Sequence, residues 1–318
     1  MIETPKQMIS PRTRARHDQY SSCEVSTDGT AVACSRAPRL MHVFTCVWIL
    51  ILIPALVGIG GCEHAQKKTG DHGHQQIAET EKKAQAPSAP LEAFQQKFAG
   101  TSVVVDMVPI KGNDKVDPFY ASSTEQTWDL YDVFIFNLDS IDGQSTPEAD
   151  AVTRPSKPYV MTDRGYGHQG YALLSATPKA AEQFMEWLRV KTGRKYRLPT
   201  VAEFTCMLEG SKVDASNLQE FAWVEENADY TTQPVGSKPK DAQGLHDIWG
   251  NVSEYAVKPD GTYVVMGGSF IDPAKNVSID YSVPFTTDWN KDDPQIPKSP
   301  WWMASNDWVG IRLVCDPE

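Results

Sequence analysis

Gly244-Leu245-His246-Asp247-Ile248-Trp249-Gly250-Asn251-Val252-Ser253-Glu254-Tyr255 is the stretch whose reading decides the fold of this 318-residue chain. Two carboxylates, Asp247 and Glu254, bracket a Gly250-Asn251 turn that can aim backbone carbonyls at one point. Hard oxygens packed this closely suit Ca²⁺. The alternative is that both carboxylates cap backbone amides in a tight turn.

Upstream lies Tyr196-Arg197-Leu198-Pro199-Thr200-Val201-Ala202-Glu203-Phe204. Thr200 and Glu203 form a T-x-x-E capping box, which starts a helix ending near Gly210. Before it, Thr177-Pro178 opens a clearer helix. Ala181, Phe184, Met185 and Leu188 make its buried face, and Gly193 stops it. Thr127 is a suitable N-cap for a helix to about residue 138, with Trp128, Tyr131, Phe134 and Ile135 as its apolar stripe. Val103, Val104, Val105, Met107 and Ile110 suggest an opening strand. Beyond Gly210 the chain is rich in Gly, Pro, Asn and Asp, with short strand candidates at 263–266 and 309–314. The pattern is α+β with much irregular structure.

The formal charge of −11 argues against a nucleic-acid partner, since a phosphate backbone needs a basic face. Residues 43–61, VFTCVWILILIPALVGIGG, carry no charge and suit the apolar core of a signal peptide. The run closes on Ile59-Gly60-Gly61-Cys62, which resembles the lipobox of bacterial lipoproteins. That resemblance implies a lipidated Cys62 as the mature N-terminus. The alternative is an uncleaved anchor helix with a chance cysteine. Either way, the residues that follow are expected outside the cytoplasm; the lipobox reading places them in the cell envelope, lipid-anchored, facing the periplasm or the exterior. The expected organisation is a doubtful extension at 1–40, with Met41 the preferred start, a lipoprotein signal peptide at 41–61, a polar tether at 62–95 and one folded domain at 96–318. His64, His72 and His74 sit on the tether, where no rigid element fixes ligand geometry. If Cys62 carries lipid, Cys206 and Cys315 remain in an oxidising compartment, where two cysteines usually pair.

Five blocks in order now take a joint meaning: 196–204, Pro234-Val235-Gly236, 244–255, Gly267-Gly268-Ser269-Phe270 and Gly310-Ile311-Arg312. They resemble the RLPTEAEWE, PVG, GLYDMxGNVWEW, GGSW and GFR motifs of the formylglycine-generating enzyme, or sulfatase-modifying factor, family. Thr124-Glu125-Gln126-Thr127-Trp128 resembles that family's early turn into a helix, and the resemblance covers about residues 98–316. It implies a C-type-lectin-like α+β fold with little regular secondary structure. It also implies a structural Ca²⁺ held by the side chains of Asp247 and Glu254 and the carbonyls of Gly250 and Val252. Asn227 and Ala228 would mark a second Ca²⁺ site, whose later acidic ligand has no counterpart here.

The family's enzyme oxidises a substrate cysteine to formylglycine with O₂ and copper held by two cysteines just after GGS. The matching positions are Asp272 and Val277, and Ser253 replaces a motif Trp. Cu(I) wants soft thiolates, so neither copper nor oxidase chemistry is expected here. Cys206 and Cys315 each stand two residues from positions where family members can carry a cysteine. A disulfide between them, worth about 2–4 kcal/mol, is the expected use, and a relocated copper pair the alternative. The family's non-haem iron relatives need several histidines, but this region offers only His168 and His246. The 164–171 loop, Arg164-Gly165-Tyr166-Gly167-His168-Gln169-Gly170-Tyr171, lines a groove or covers the core. Trp289, Trp301, Trp302 and Trp308 are core filler or a stacking surface for a ligand. The expected role is non-catalytic, with an envelope protein or a glycan as partner, and formylglycine-generating oxidation as the alternative.

Overall fold

The computed structural model describes residues 90–140, 145–159 and 161–318. The signal-type run, Cys62 and the tether histidines lie outside the described residues. Strand β1 (Phe94–Lys97) pairs antiparallel with β2 (Val104–Ile110), so ordered sheet begins just inside the stretch expected as tether. Next come β3 (Phe119–Ser122) and α1 (Trp128–Phe136). Thr127 precedes α1 in extended backbone, but its side chain makes no capping bond. A short α2 (Pro147–Ala151) leads to α3 (Pro178–Thr192). There the Thr177 side chain accepts from Ala180 N, and Gly193 ends the helix.

After β4 (Tyr196–Arg197), helix α4 (Val201–Gly210) carries both halves of the capping box. The Thr200 side chain accepts from Glu203 N, and Thr200 N donates to Glu203 Oε2 at 2.8 Å. Four-residue α5 (Leu218–Phe221) precedes the long turn region. Then follow β5 (Ser253–Val257), β6 (Tyr263–Met266), β7 (Ser282–Pro284), β8 (Val309–Gly310) and β9 (Val314–Cys315).

Two sheets result, ordered β1-β2-β3-β9-β4 and β7-β6-β5-β8. The stretch 309–314 is therefore not one strand. Val309–Gly310 runs parallel to β5 in the second sheet, and Val314–Cys315 lies between β3 and β4 in the first. The intervening residues cross from sheet to sheet, which carries Arg312 into the interior between them.

The core has two parts. One gathers Trp128, Tyr131, Phe134, Phe184, Trp187 and Trp302 beneath α1 and α3. The other packs α4 residues Phe204, Cys206 and Met207 with Phe119, Trp249 and Val314. Trp302 is thus core filler, and Trp289, Trp301 and Trp308 pack partly buried against the same body.

The expected disulfide is not formed. Cys206 and Cys315 are both buried free thiols. Side chains alternate across a strand, so Val314 faces the α4 side while its neighbour Cys315 faces the other core. The Cys315 thiol donates instead to the Asp316 carbonyl at 3.3 Å. Burial pushes both thiols above their ordinary range, which keeps them protonated.

Candidate functional site

The 244–255 turn is closed by a residue far along the chain. Arg312 Nε donates to Glu254 Oε2 at 2.9 Å and Nη2 to Oε1 at 2.8 Å, with both side chains almost wholly buried. The guanidinium also donates to the carbonyls of Ser122 and His246. Glu125, fully buried, takes the other side of the turn. Its Oε1 accepts from Val252 N at 2.9 Å and its Oε2 from Asn251 Nδ2 at 2.6 Å. Asp247 Oδ2 accepts from Gly236 N at 2.6 Å, and its buried Oδ1 has no partner. Burial, reinforced by the like charges of Asp247 and Glu254, pushes the Glu125 carboxyl well above the usual carboxylate range.

The Ca²⁺ set expected at Asp247, Gly250, Val252 and Glu254 does not fit this arrangement. Both Glu254 oxygens face Arg312, and a guanidinium there repels a cation. The carboxylates instead cap amides and pair with arginine, the alternative that the sequence left open. Asn227 is likewise engaged: its Oδ1 accepts from Val224 N and its Nδ2 donates to Gln219 and Ala222 carbonyls. Among the described residues there is no cluster of three or more His, Cys, Asp or Glu placed to hold a metal ion.

The second feature is the turn after β6. Asp272 Oδ2 accepts from Ser269 N at 2.8 Å, Ser269 Oγ at 2.6 Å and Tyr281 OH at 3.1 Å. Burial raises the Asp272 carboxyl, against the lowering effect of these donors. Val277 is buried against Gly268, where an added Cβ would stand 2.7 Å from a Val277 methyl. Both positions that the family resemblance marks for copper thiolates thus serve to brace the turn.

The neighbouring 164–171 loop is held by its own side chains. Arg164 donates to Ser175 Oγ and to the Met303 and Asn306 carbonyls. Tyr166 donates to Asp307 Oδ2 at 2.8 Å and meets Phe270 edge to face at 5.5 Å between centroids. Arg164 and Tyr166 are thereby fastened to the fold and tie the loop to the GGSF turn.

Residues 108–317 match the family model described as a sulfatase-modifying factor enzyme 1-like domain. The chain belongs to the sulfatase-modifying factor family. Comparison with curated proteins gives no match. Among solved structures, Treponema denticola variable protein 1 aligns at 17% identity with a TM-score of 0.47, covering 70% of this chain and 99% of that one. PvdO from Pseudomonas aeruginosa aligns at 16% and 0.44, covering 73% and 100%. CarF aligns at 16% and 0.45, covering 71% and 97%. The α+β architecture with two sheets and few helices is that expected of the family.

Within this sulfatase-modifying factor domain, His246 is a loop histidine whose Nδ1 lies 2.8 Å from the Lys238 carbonyl. His168 is gripped on both sides, with Nε2 2.7 Å from Asp132 on α1 and Nδ1 3.0 Å from Asp163, and it stacks on Trp128 at 5.0 Å. Partial burial lowers its pKa, but the bonds and charges of Asp132 and Asp163 outweigh this and hold it above the ordinary value of 6.5. A raised folded pKa means the imidazolium's contribution is complete below about pH 6.5 and is lost as pH rises through the folded value. The His168 side chain is 41% exposed, so screening limits the effect to about 0.5 kcal/mol. Thermal melts at pH 6 and pH 9 are expected to differ by about 1–2 °C more in the natural protein than in His168→Gln. Equal pH dependence in the two proteins would show that the His168 contacts with Asp132 and Asp163 add no stability.

Glu125 is the residue that sequence reasoning missed. It stood in the family's early turn with no role assigned, and its partners Asn251 and Val252 lie more than a hundred residues away. The one charged side chain in Ser122-Ser123-Thr124-Glu125-Gln126-Thr127-Trp128, set just before an apolar helix, was the available signal.

Proposed function

We propose that this chain is held in the cell envelope by a lipid on Cys62, and that its sulfatase-modifying factor domain binds an envelope partner without oxidising it. The observation that carries the reading is the pair Asp272 and Val277. One is a hard carboxylate engaged by Ser269 and Tyr281; the other offers only an alkyl group. Neither is the soft donor that Cu(I) chemistry needs. Cys206 and Cys315 do not substitute for them, because they pack in different cores. A fold can outlive its chemistry, and function then rests on surfaces. Trp289 and Trp308 meet each other at 5.2 Å and Trp302 is buried, which favours a protein partner over a stacked sugar. The anchor rests on the uncharged 43–61 run and the Ile59-Gly60-Gly61-Cys62 boundary.

Mass spectrometry tests both halves separately. Protein purified from bacterial membranes is expected to begin at a lipid-modified Cys62. Incubated with a Cys-x-Pro-x-Arg peptide, Cu(I) and O₂, it is expected to yield no aldehyde above blank while an authentic formylglycine-generating enzyme converts the same peptide. Unmodified Cys62 in the membrane fraction would overturn the anchor. Aldehyde in molar excess over protein would overturn the binding role.

A further inference from the structure

A cavity of about 290 Å³ opens where the start of α3 meets the start of β6 and the segment 285–303. Its wall is apolar: Pro178, Tyr263, Phe285, Pro300 and Met303. Tyr263 opens β6, whereas the GGSF turn follows the other end of that strand at Met266. The cavity is therefore separate from the family's thiolate positions.

Three polar side chains of the lining, Thr177, Ser299 and Asn290, are already engaged. Thr177 Oγ1 donates to the Pro300 carbonyl at 2.7 Å and accepts from Ala180 N. Ser299 Oγ accepts from Trp301 N and Trp302 N. The Asn290 amide is shared among Asp293, the Ser299 carbonyl and Ala304 N. Asp293, behind this rim, accepts from Ser299 N, Gln295 N and Asn290 Nδ2.

Two ammonium groups are left with capacity. Lys179 lines the cavity with its Nζ 4.5 Å above the Trp301 ring, and among the described residues it has no carboxylate partner. Lys298 Nζ donates to the Asn290 and Lys291 carbonyls at 2.9 and 2.7 Å, which leaves its third N–H free. Glu182, further along α3, is engaged by the Tyr263 hydroxyl at 3.3 Å.

We infer that this cavity binds a small monocarboxylate with an apolar body, the body against Phe285 and Met303 and the carboxylate at Lys179 and Lys298. An apolar wall with a few convergent charged donors is the usual make-up of a ligand site. A carboxylate at such a wall needs a cation to offset its lost hydration, and in a chain of net charge −11 two ammoniums at one rim set its preference for anions. A cavity of about 150 Å³ holds benzene, so this one suits an aromatic acid of roughly twelve non-hydrogen atoms. The inference concerns binding and stands or falls independently of the non-oxidising role.

Titration calorimetry on the purified full-length protein tests it with 4-phenylbutanoate and its neutral amide. The acid is expected to bind at least about 5-fold more tightly than the amide, as a charged hydrogen-bond pair implies. Lys179→Gln is expected to remove most of that preference while leaving amide binding unchanged. Thr287 is an exposed lining residue, so Thr287→Trp is expected to block both ligands without unfolding the chain, as checked by its melting curve. Equal affinity for acid and amide, no binding of either, or undiminished binding to folded Thr287→Trp would each overturn the assignment.

Discussion

Arg312→Met is expected to destabilise the domain by about 3–5 kcal/mol, the cost of leaving a buried carboxylate without its cation. Glu254 would lose its bidentate partner in a space that also holds Glu125 and Asp247. The Ser122 and His246 carbonyls would lose a donor as well. Domains of this size have stabilities of about 5–15 kcal/mol, so the loss is a large share of the whole. At about 2–4 °C per kcal/mol, calorimetry should find the melting temperature lower by roughly 10 °C. Glu254→Leu combined with Arg312→Met should recover part of the loss, because it removes the stranded charge. A single variant melting within 2 °C of the natural protein, at about 2–4 °C per kcal/mol, would show that the pair does not hold the sheets together.

Gly250→Ala is the second large effect. Gly250 has φ +77, and a Cβ there would stand 2.3 Å from the Trp223 carbonyl oxygen and 2.9 Å from its nitrogen. These are backbone atoms, so no rotamer change relieves the overlap. The Trp223 strand-like bridge to Gly250 would have to open, and Asn251 N would lose its bond to the Trp223 carbonyl. A cost of about 3 kcal/mol or more is expected, above the roughly 1–2 kcal/mol of left-handed backbone alone. Gly261→Ala separates the two contributions, since its φ is +81 but nothing lies within 4 Å of the added carbon. Urea melts should place Gly261→Ala near the smaller figure. Equal midpoints for the two variants would rule out the steric part.

What the sequence made legible was local. Helices α3 and α4 are written in Thr177-Pro178, in Thr200 with Glu203, and in a 3.6-residue apolar period, all within a few residues of each other. Spaced motifs carried the family. The errors were non-local. The pairing of Cys206 with Cys315 depended on which side of β9 each residue faces, and that requires knowing what flanks the strand. The Ca²⁺ reading saw the carboxylates of 244–255 but not the arginine 58 residues beyond Glu254 that closes on them. The single strand expected at 309–314 failed because its apolar run serves two sheets, with a buried charge between them.

That crossing also bears on when the molecule can acquire its fold. The last strand, Val314–Cys315, is seated between β3 and β4, and Val309–Gly310 completes the other sheet. Neither sheet can close until residues near position 315 have emerged from the ribosome. Such long-range pairing slows folding, and a chain that stays open until residue 315 arrives remains threadable. In the exported reading proposed above, late closure keeps the chain competent for translocation.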